Sequence, residues 1–129
     1  MSRLSQHFTR REFACKGEDC CGHSAPVNLQ LVFALELLRA ETEKPLVINS
    51  GFRCKTHNEV IGGAENSQHC LGTAVDIKTP MGYSDNQFFE ICKALNLNGE
   101  FIFSAVGLYE GRIHLDIRIT EKQITWGNK

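Results

Sequence analysis

A chain of 129 residues is long enough to close one hydrophobic core and too short for two ordinary ones, so a single domain over residues 1–129 is expected. With 14 Lys plus Arg against 15 Asp plus Glu the formal charge is −1, which excludes the basic field that would draw in nucleic acid or an anionic membrane surface. No window approaches the roughly 18 apolar residues of a membrane span and the opening Met-Ser-Arg-Leu-Ser-Gln-His has no apolar run, so the expectation is a soluble chain made in the cytoplasm without its own export signal; a monomer is expected as well.

Thr9-Arg-Arg-Glu12 places an N-cap residue three positions before a glutamate and predicts a short helix at about 10–14. The following Cys15, Cys20, Cys21 and His23 form a polar cluster with two readings: a small structural zinc site, or a tight surface turn with reduced thiols. From Pro26 the pattern becomes helical, with Leu31, Leu35 and Leu38 at spacings of four and three, and Val27, Phe33 and Ala34 widening the apolar stripe. Gln30, Glu36 and Arg39 fall on its solvated face.

Pro45 ends that helix, and Leu46 to Ser50 reads as a strand running into Gly51. Arg53 follows at the mouth of a strand-to-loop transition, where binding residues are often held on a rigid scaffold; a plain surface arginine is the other reading. Lys55 to Ile61 is a short helix closed by Gly62-Gly63. The loop through Asn66 then delivers His69, and Ala74-Val75-Asp76-Ile77 alternates as a half-buried strand. Ser84 caps a second helix over 85–97 that buries Phe88, Ile91, Cys92 and Leu95. Residues 101–109 and 112–119, separated by Glu110-Gly111, predict a hairpin, and the tail from Thr120 carries Trp126 without periodicity. Helix, strand, loop, strand, helix and hairpin in that order predict an α+β domain with helices on one side of a small antiparallel sheet.

A carboxylate placed between aliphatic residues on a strand needs a partner, because an unpaired ion taken out of water is costly. In Ile113-His114-Leu115-Asp116-Ile117 the histidine and aspartate share the face opposite the aliphatic residues. His69, Asp76 and His114 would make a three-ligand set with one coordination direction open, the pattern of a catalytic Zn²⁺ that activates water near neutral pH; ordinary surface or core histidines are the other reading. Ser67, two residues before His69, is placed to orient its ring and is expected, with Arg53, to face the substrate. Arg53 suits a substrate carboxylate or a developing oxyanion. Two acidic residues compete as general base. Glu110 would lie about 13 Å along an extended strand from His114 unless the chain bends at Gly111. Asp116, about 7 Å along the strand by the same estimate, could act on the water or merely orient a ligand.

The motif Ser67-x-His69-x-x-Gly72-x-Ala74-x-Asp76, followed by His114 in a terminal strand, resembles the zinc D-Ala-D-Ala carboxypeptidases and related L,D-endopeptidases that share their fold with the hedgehog signalling domain. Ser50-Gly51-Phe52-Arg53 resembles the family's Ser-Gly-aromatic-Arg segment, and the region from Leu4, His7 and Phe8 to Cys15 looks like the start of its small phage and bacterial members. The resemblance implies a hedgehog/DD-peptidase-like fold, one zinc ion on His69, Asp76 and His114, and substrate contact by Arg53. It implies a peptidoglycan stem peptide as substrate, with phage-type lysis (an endolysin) or wall remodelling as the setting and release to the wall through a separately made pore. One departure stands out: where many relatives carry a catalytic glutamate three residues before the last zinc histidine, this chain has Gly111. A zinc-binding module that recognises cell wall or a protein without hydrolysis is the alternative.

Overall fold

The computed structural model describes residues 3–127. Its elements in chain order are α1 (Leu29–Thr42), β1 (Ile48–Ser50), α2 (Lys55–Val60), β2 (Ala74–Lys78), α3 (Asp85–Ala94), β3 (Asn96–Leu97), β4 (Glu100–Phe101), β5 (Ala105–Tyr109), β6 (Arg112–Asp116) and β7 (Ile124–Trp126). Single 3-10 turns cover Arg10–Phe13 and Gln68–Leu71. Among the described residues no helix is long and apolar enough to cross a membrane.

Five strands form one sheet in the order β1-β2-β6-β5-β7. Strand alternation sends Val75 and Ile77 of β2, Ile113 and Leu115 of β6 and Val106 of β5 into one core cluster with Leu31, Leu35 and Leu38 of α1 and Phe88, Phe89 and Cys92 of α3. The residues between them point the other way. Ser50, Asp76, His114, Gly107 and Trp126 are successive register partners, one row across all five strands. The buried face is thus assembled by hydrophobic burial, and the same period of two delivers a polar row to the opposite face.

Several local expectations are corrected. The sheet is mixed rather than antiparallel throughout, because the tail returns as β7 and pairs with β5 in parallel. The helix expected to 97 stops at Ala94, since Asn98 and Gly99 both adopt positive φ and close a separate β3-β4 hairpin. An Asn-Gly pair is the strongest short hairpin signal, and here it overrides the helical spacing of Leu95. The strands of the second hairpin are shorter than the expected 101–109 and 112–119. Near the N-terminus the expected helix is one 3-10 turn, with the Glu12 carboxylate accepting from the Thr9 N–H at 2.7 Å.

In α1 the Asn28 side chain caps the helix by accepting from the Gln30 N–H at 2.7 Å, an interaction of about 1 kcal/mol. Phe33 is 57% exposed, because a residue two positions from both Leu31 and Leu35 lies on the far side of the helix. Glu36 is not simply solvated: its carboxylate accepts from the Ser5 hydroxyl at 2.5 Å and the His7 N–H at 2.7 Å, tying the N-terminal segment to α1.

Candidate metal centre

The polar row opens into a cleft of about 810 Å³ between the sheet and the loop 61–69. Asp76 lies half-buried on β2 directly opposite His114 on β6, and its Oδ1 is 3.1 Å from His114 Nδ1. His69 enters from the 3-10 turn and places Nε2 3.4 Å from the same oxygen. The ligand atoms of these three residues lie within 4.8 Å of one another.

The local sequence explains why His69 points here. Ser67 caps the turn by accepting from the His69 N–H at 3.1 Å, and Gly72 ends it in the left-handed region at φ 74°. A side chain at Gly72 would press on the Pro26 carbonyl, so the turn packs tightly against the start of the first helical region. The ring itself is oriented by the Gly51 carbonyl, 2.7 Å from Nδ1, and not by the Ser67 hydroxyl. A carbonyl only accepts, so Nδ1 carries the proton and Nε2 presents its lone pair. That nitrogen is buried, faces Asp76 and makes no hydrogen bond among the described residues. The loop is stitched a second time where the Arg53 N–H donates to the His69 carbonyl at 3.1 Å.

Behind His114 stands Asp116, fully buried, with Oδ2 2.7 Å from His114 Nε2. Its carboxylate also accepts from Arg118 Nε at 2.9 Å, from Arg118 Nη2 at 2.7 Å and from the Arg118 N–H at 3.2 Å. Both oxygens are thus engaged on the edge of the ring away from Asp76. Of its two open readings, the contacts support orientation of His114 and leave Asp116 no free oxygen for a water in the cleft. Glu110 is exposed at the tip of the β5-β6 hairpin and does not line the cleft. The bend at Gly111 is real, with φ 80°, but it makes the two-residue turn and does not bring Glu110 to His114.

The titration behaviour follows from these contacts. Burial alone would raise the Asp76 carboxyl, but the hydrogen bond from the His114 ring outweighs it and holds the group far below the usual carboxylate range. Burial also works to raise Asp116, and the Arg118 and His114 bonds overcome it, bringing the carboxyl down to about 2. Burial lowers His114, yet its bonds to Asp116 and Asp76 prevail and raise it. Both ring nitrogens of His114 face carboxylate oxygens, an arrangement that favours the protonated ring, and Nδ1 is the nitrogen that a cation beside Asp76 would meet.

The donor set fits zinc. Bonds of about 2.0–2.1 Å in a tetrahedral arrangement put neighbouring ligand atoms about 3.3–3.4 Å apart, close to the 3.4 and 3.1 Å separations seen here. Asp76 brings a carboxylate and His69 a lone pair that none of the described residues uses. In such sites a carboxylate behind a ligating imidazole fixes its tautomer and ring orientation, and Asp116 stands in that position behind His114.

Arg53, expected to meet substrate, lines the cleft beside Ser67, and its Nε is buried without a hydrogen-bond partner among the described residues. Three further groups were not singled out from the sequence. Trp126 packs on His114 at a ring separation of 5.2 Å, and its Nε1 donates to the Tyr109 hydroxyl at 2.9 Å. Arg112 stacks over the Tyr109 ring at 4.4 Å. Gly107 is the register partner of both His114 and Trp126, and any Cβ there would lie within the indole. A three-residue strand carries too little periodicity to reveal Trp126, although an isolated glycine inside the apolar run 105–109 is a signal of close approach.

A family model described as Peptidase M15 matches residues 6–116 of this chain. The zinc D-Ala-D-Ala carboxypeptidase of Streptomyces albus G is 42% identical over 50 residues, a match spanning 38% of this chain and 20% of that relative. With the family model covering all but the ends, the chain belongs to the peptidase M15 family.

Proposed function

We propose that this chain is a zinc-dependent peptidase that hydrolyses peptide bonds in peptidoglycan stem peptides, as a D,D-carboxypeptidase or an endopeptidase. The observation that carries the reading is the convergence of His69 Nε2, Asp76 Oδ1 and His114 Nδ1 on the open side of one cleft. His69, Asp76 and His114 would hold the ion, which when bound supplies Lewis acidity toward a carbonyl and lowers the pKa of water to about 7. Asp116 keeps the proton of His114 on Nε2, so that Nδ1 faces the cleft. Arg53 offers fixed paired donors to a substrate carboxylate or to the developing oxyanion. Arg53, Arg112 and Arg118 line the cleft; Asp116 neutralises Arg118, and Arg53 and Arg112 outnumber Asp76, the one carboxylate among the described lining residues, so the rim favours an anionic peptide. Trp126 and Tyr109 add an apolar wall. The substrate class is also supported by membership of the peptidase M15 family and by the similarity to a D-Ala-D-Ala carboxypeptidase.

Purified cell wall incubated with the protein and zinc should release free D-Ala or expose new amino groups, and His114→Ala should abolish either product. Wall that stays intact while the protein holds zinc would favour a second reading, a zinc-binding module that recognises wall peptides without cutting them. One observation speaks for that alternative: neither Glu110 nor Asp116 presents a free carboxylate to the cleft.

A further inference from the structure

We propose that Cys15, Cys20, Cys21 and Cys54 bind a second zinc ion, a structural one that braces the wall of the cleft. The four sulfurs come from the segment after the first 3-10 turn and from the N-cap of α2, and they all lie within 4.8 Å of one another. Tetrahedral zinc with four thiolates at about 2.3 Å places its sulfurs about 3.8 Å apart, and Cys20 and Cys21 Sγ are separated by 4.0 Å. The sulfurs are unbonded to each other.

Three of the sulfurs already accept backbone N–H groups: Cys15 from Cys54 at 3.5 Å, Cys54 from His57 at 3.4 Å and Cys21 from Ser24 at 3.4 Å. Donors aimed at sulfur favour thiolate, the form that ligates metal. His23 is not a member of the set, because its Nδ1 is taken by the Cys15 carbonyl at 2.8 Å. Cys54 replaces it. The loop also closes tightly here: a Cβ on Gly17 would stand 2.8 Å from Cys20 Sγ and 2.8 Å from His57 Cβ.

The backbone between Ala14 and Asn28 has no regular structure, and Asp19, Gly22 and His23 all take positive φ. A connection of that length inside a small domain needs an anchor. The anchor would act on the site, because the Phe52 N–H donates to the Phe13 carbonyl at 2.8 Å and Cys54 directly follows Arg53. The same loop supplies the Gly51 carbonyl that orients His69. On binding, each thiol gives its proton to solvent and the four sulfurs lock the N-terminal segment to the loop 51–54.

The test uses the full chain and a His69→Ala variant, which leaves the cysteine cluster untouched. Wild type is expected to carry a second zinc equivalent beyond the cleft ion, and His69→Ala to keep one equivalent. Cobalt exchanged into His69→Ala should give intense thiolate-to-cobalt charge-transfer absorption, and the four clustered thiols should react with a disulfide reagent only after chelation. A Cys20→Ser, Cys21→Ser double variant should lose the band. The proposal is overturned if His69→Ala holds no zinc and shows no charge-transfer band, or if its intact mass reveals a disulfide within the cluster. Since His69→Ala disables the cleft, neither outcome depends on the peptidase reading.

Discussion

Asp116 Oδ2 lies 2.7 Å from His114 Nε2, on the ring edge opposite the nitrogen that faces Asp76. The pair makes a buried carboxylate the holder of a candidate metal ligand. Asp116→Asn should therefore weaken zinc affinity about 10- to 100-fold while turnover per bound zinc stays near wild type. Competition with a chromophoric chelator, followed by assay at saturating zinc, separates these effects; lost turnover at full occupancy would instead make Asp116 a participant in the chemistry. Glu110→Gln, at an exposed hairpin tip, should change neither affinity nor turnover.

Arg53 has a buried, unpartnered Nε in the cleft wall. Arg53→Ala should cut kcat/KM on a peptide with a free terminal carboxylate by about 10- to 100-fold, the worth of one charge-assisted hydrogen bond. On the same peptide amidated at its C-terminus the loss should be small if the arginine binds that carboxylate. Equal losses on both would place Arg53 at the oxyanion instead.

Gly107 leaves room for Trp126 to lie against His114. Gly107→Ala forces a methyl into the indole and should cost about 1–3 kcal/mol of unfolding free energy, with a shift in tryptophan emission. Adding Trp126→Ala should recover most of that loss, because it removes the collision. If the double variant is no more stable than Gly107→Ala alone, the glycine serves the backbone and not the contact.

The N-terminus of α3 is pinned to the hairpin tip by Asp85, which accepts from the Thr79 hydroxyl at 2.5 Å and the Gly111 N–H at 3.0 Å. These two hydrogen bonds hold the Asp85 carboxyl below its ordinary value. A carboxyl depressed in the folded state contributes stability that is present above its unfolded pKa of about 3.9 and is lost as pH falls through the folded value. Acid titration of the denaturant midpoint should therefore be shallower in Asp85→Asn than in wild type below about pH 4. Parallel curves would remove the pairing from the account.

The strand period was the legible part of this molecule. Val75, Ile77, Ile113 and Leu115 alternate with Asp76 and His114, and burying the first set brings the second into register. The resemblance in Ser67 to Asp76 pointed to the same residues. What stayed hidden depends on contacts with no local pattern. The Gly51 carbonyl that turns His69 is a backbone atom, and Cys54 joins a cluster whose other members are far away along the chain. β7 is too short to announce itself, so the tail that carries Trp126 shows no periodicity and its pairing as a parallel edge has no local signal. The contacts of Asp116 with Arg118, which bear on its two readings, likewise have no signature in the local sequence pattern.

The central claim is that His69, Asp76 and His114 share one cation. Anomalous scattering at the zinc edge from crystals of the zinc-loaded protein tests it directly. The account predicts a peak in the cleft about 2.0–2.1 Å from His69 Nε2 and His114 Nδ1 and at a similar distance from an Asp76 oxygen. Well-ordered density for the three side chains with no anomalous peak between them, at full zinc loading, would contradict it.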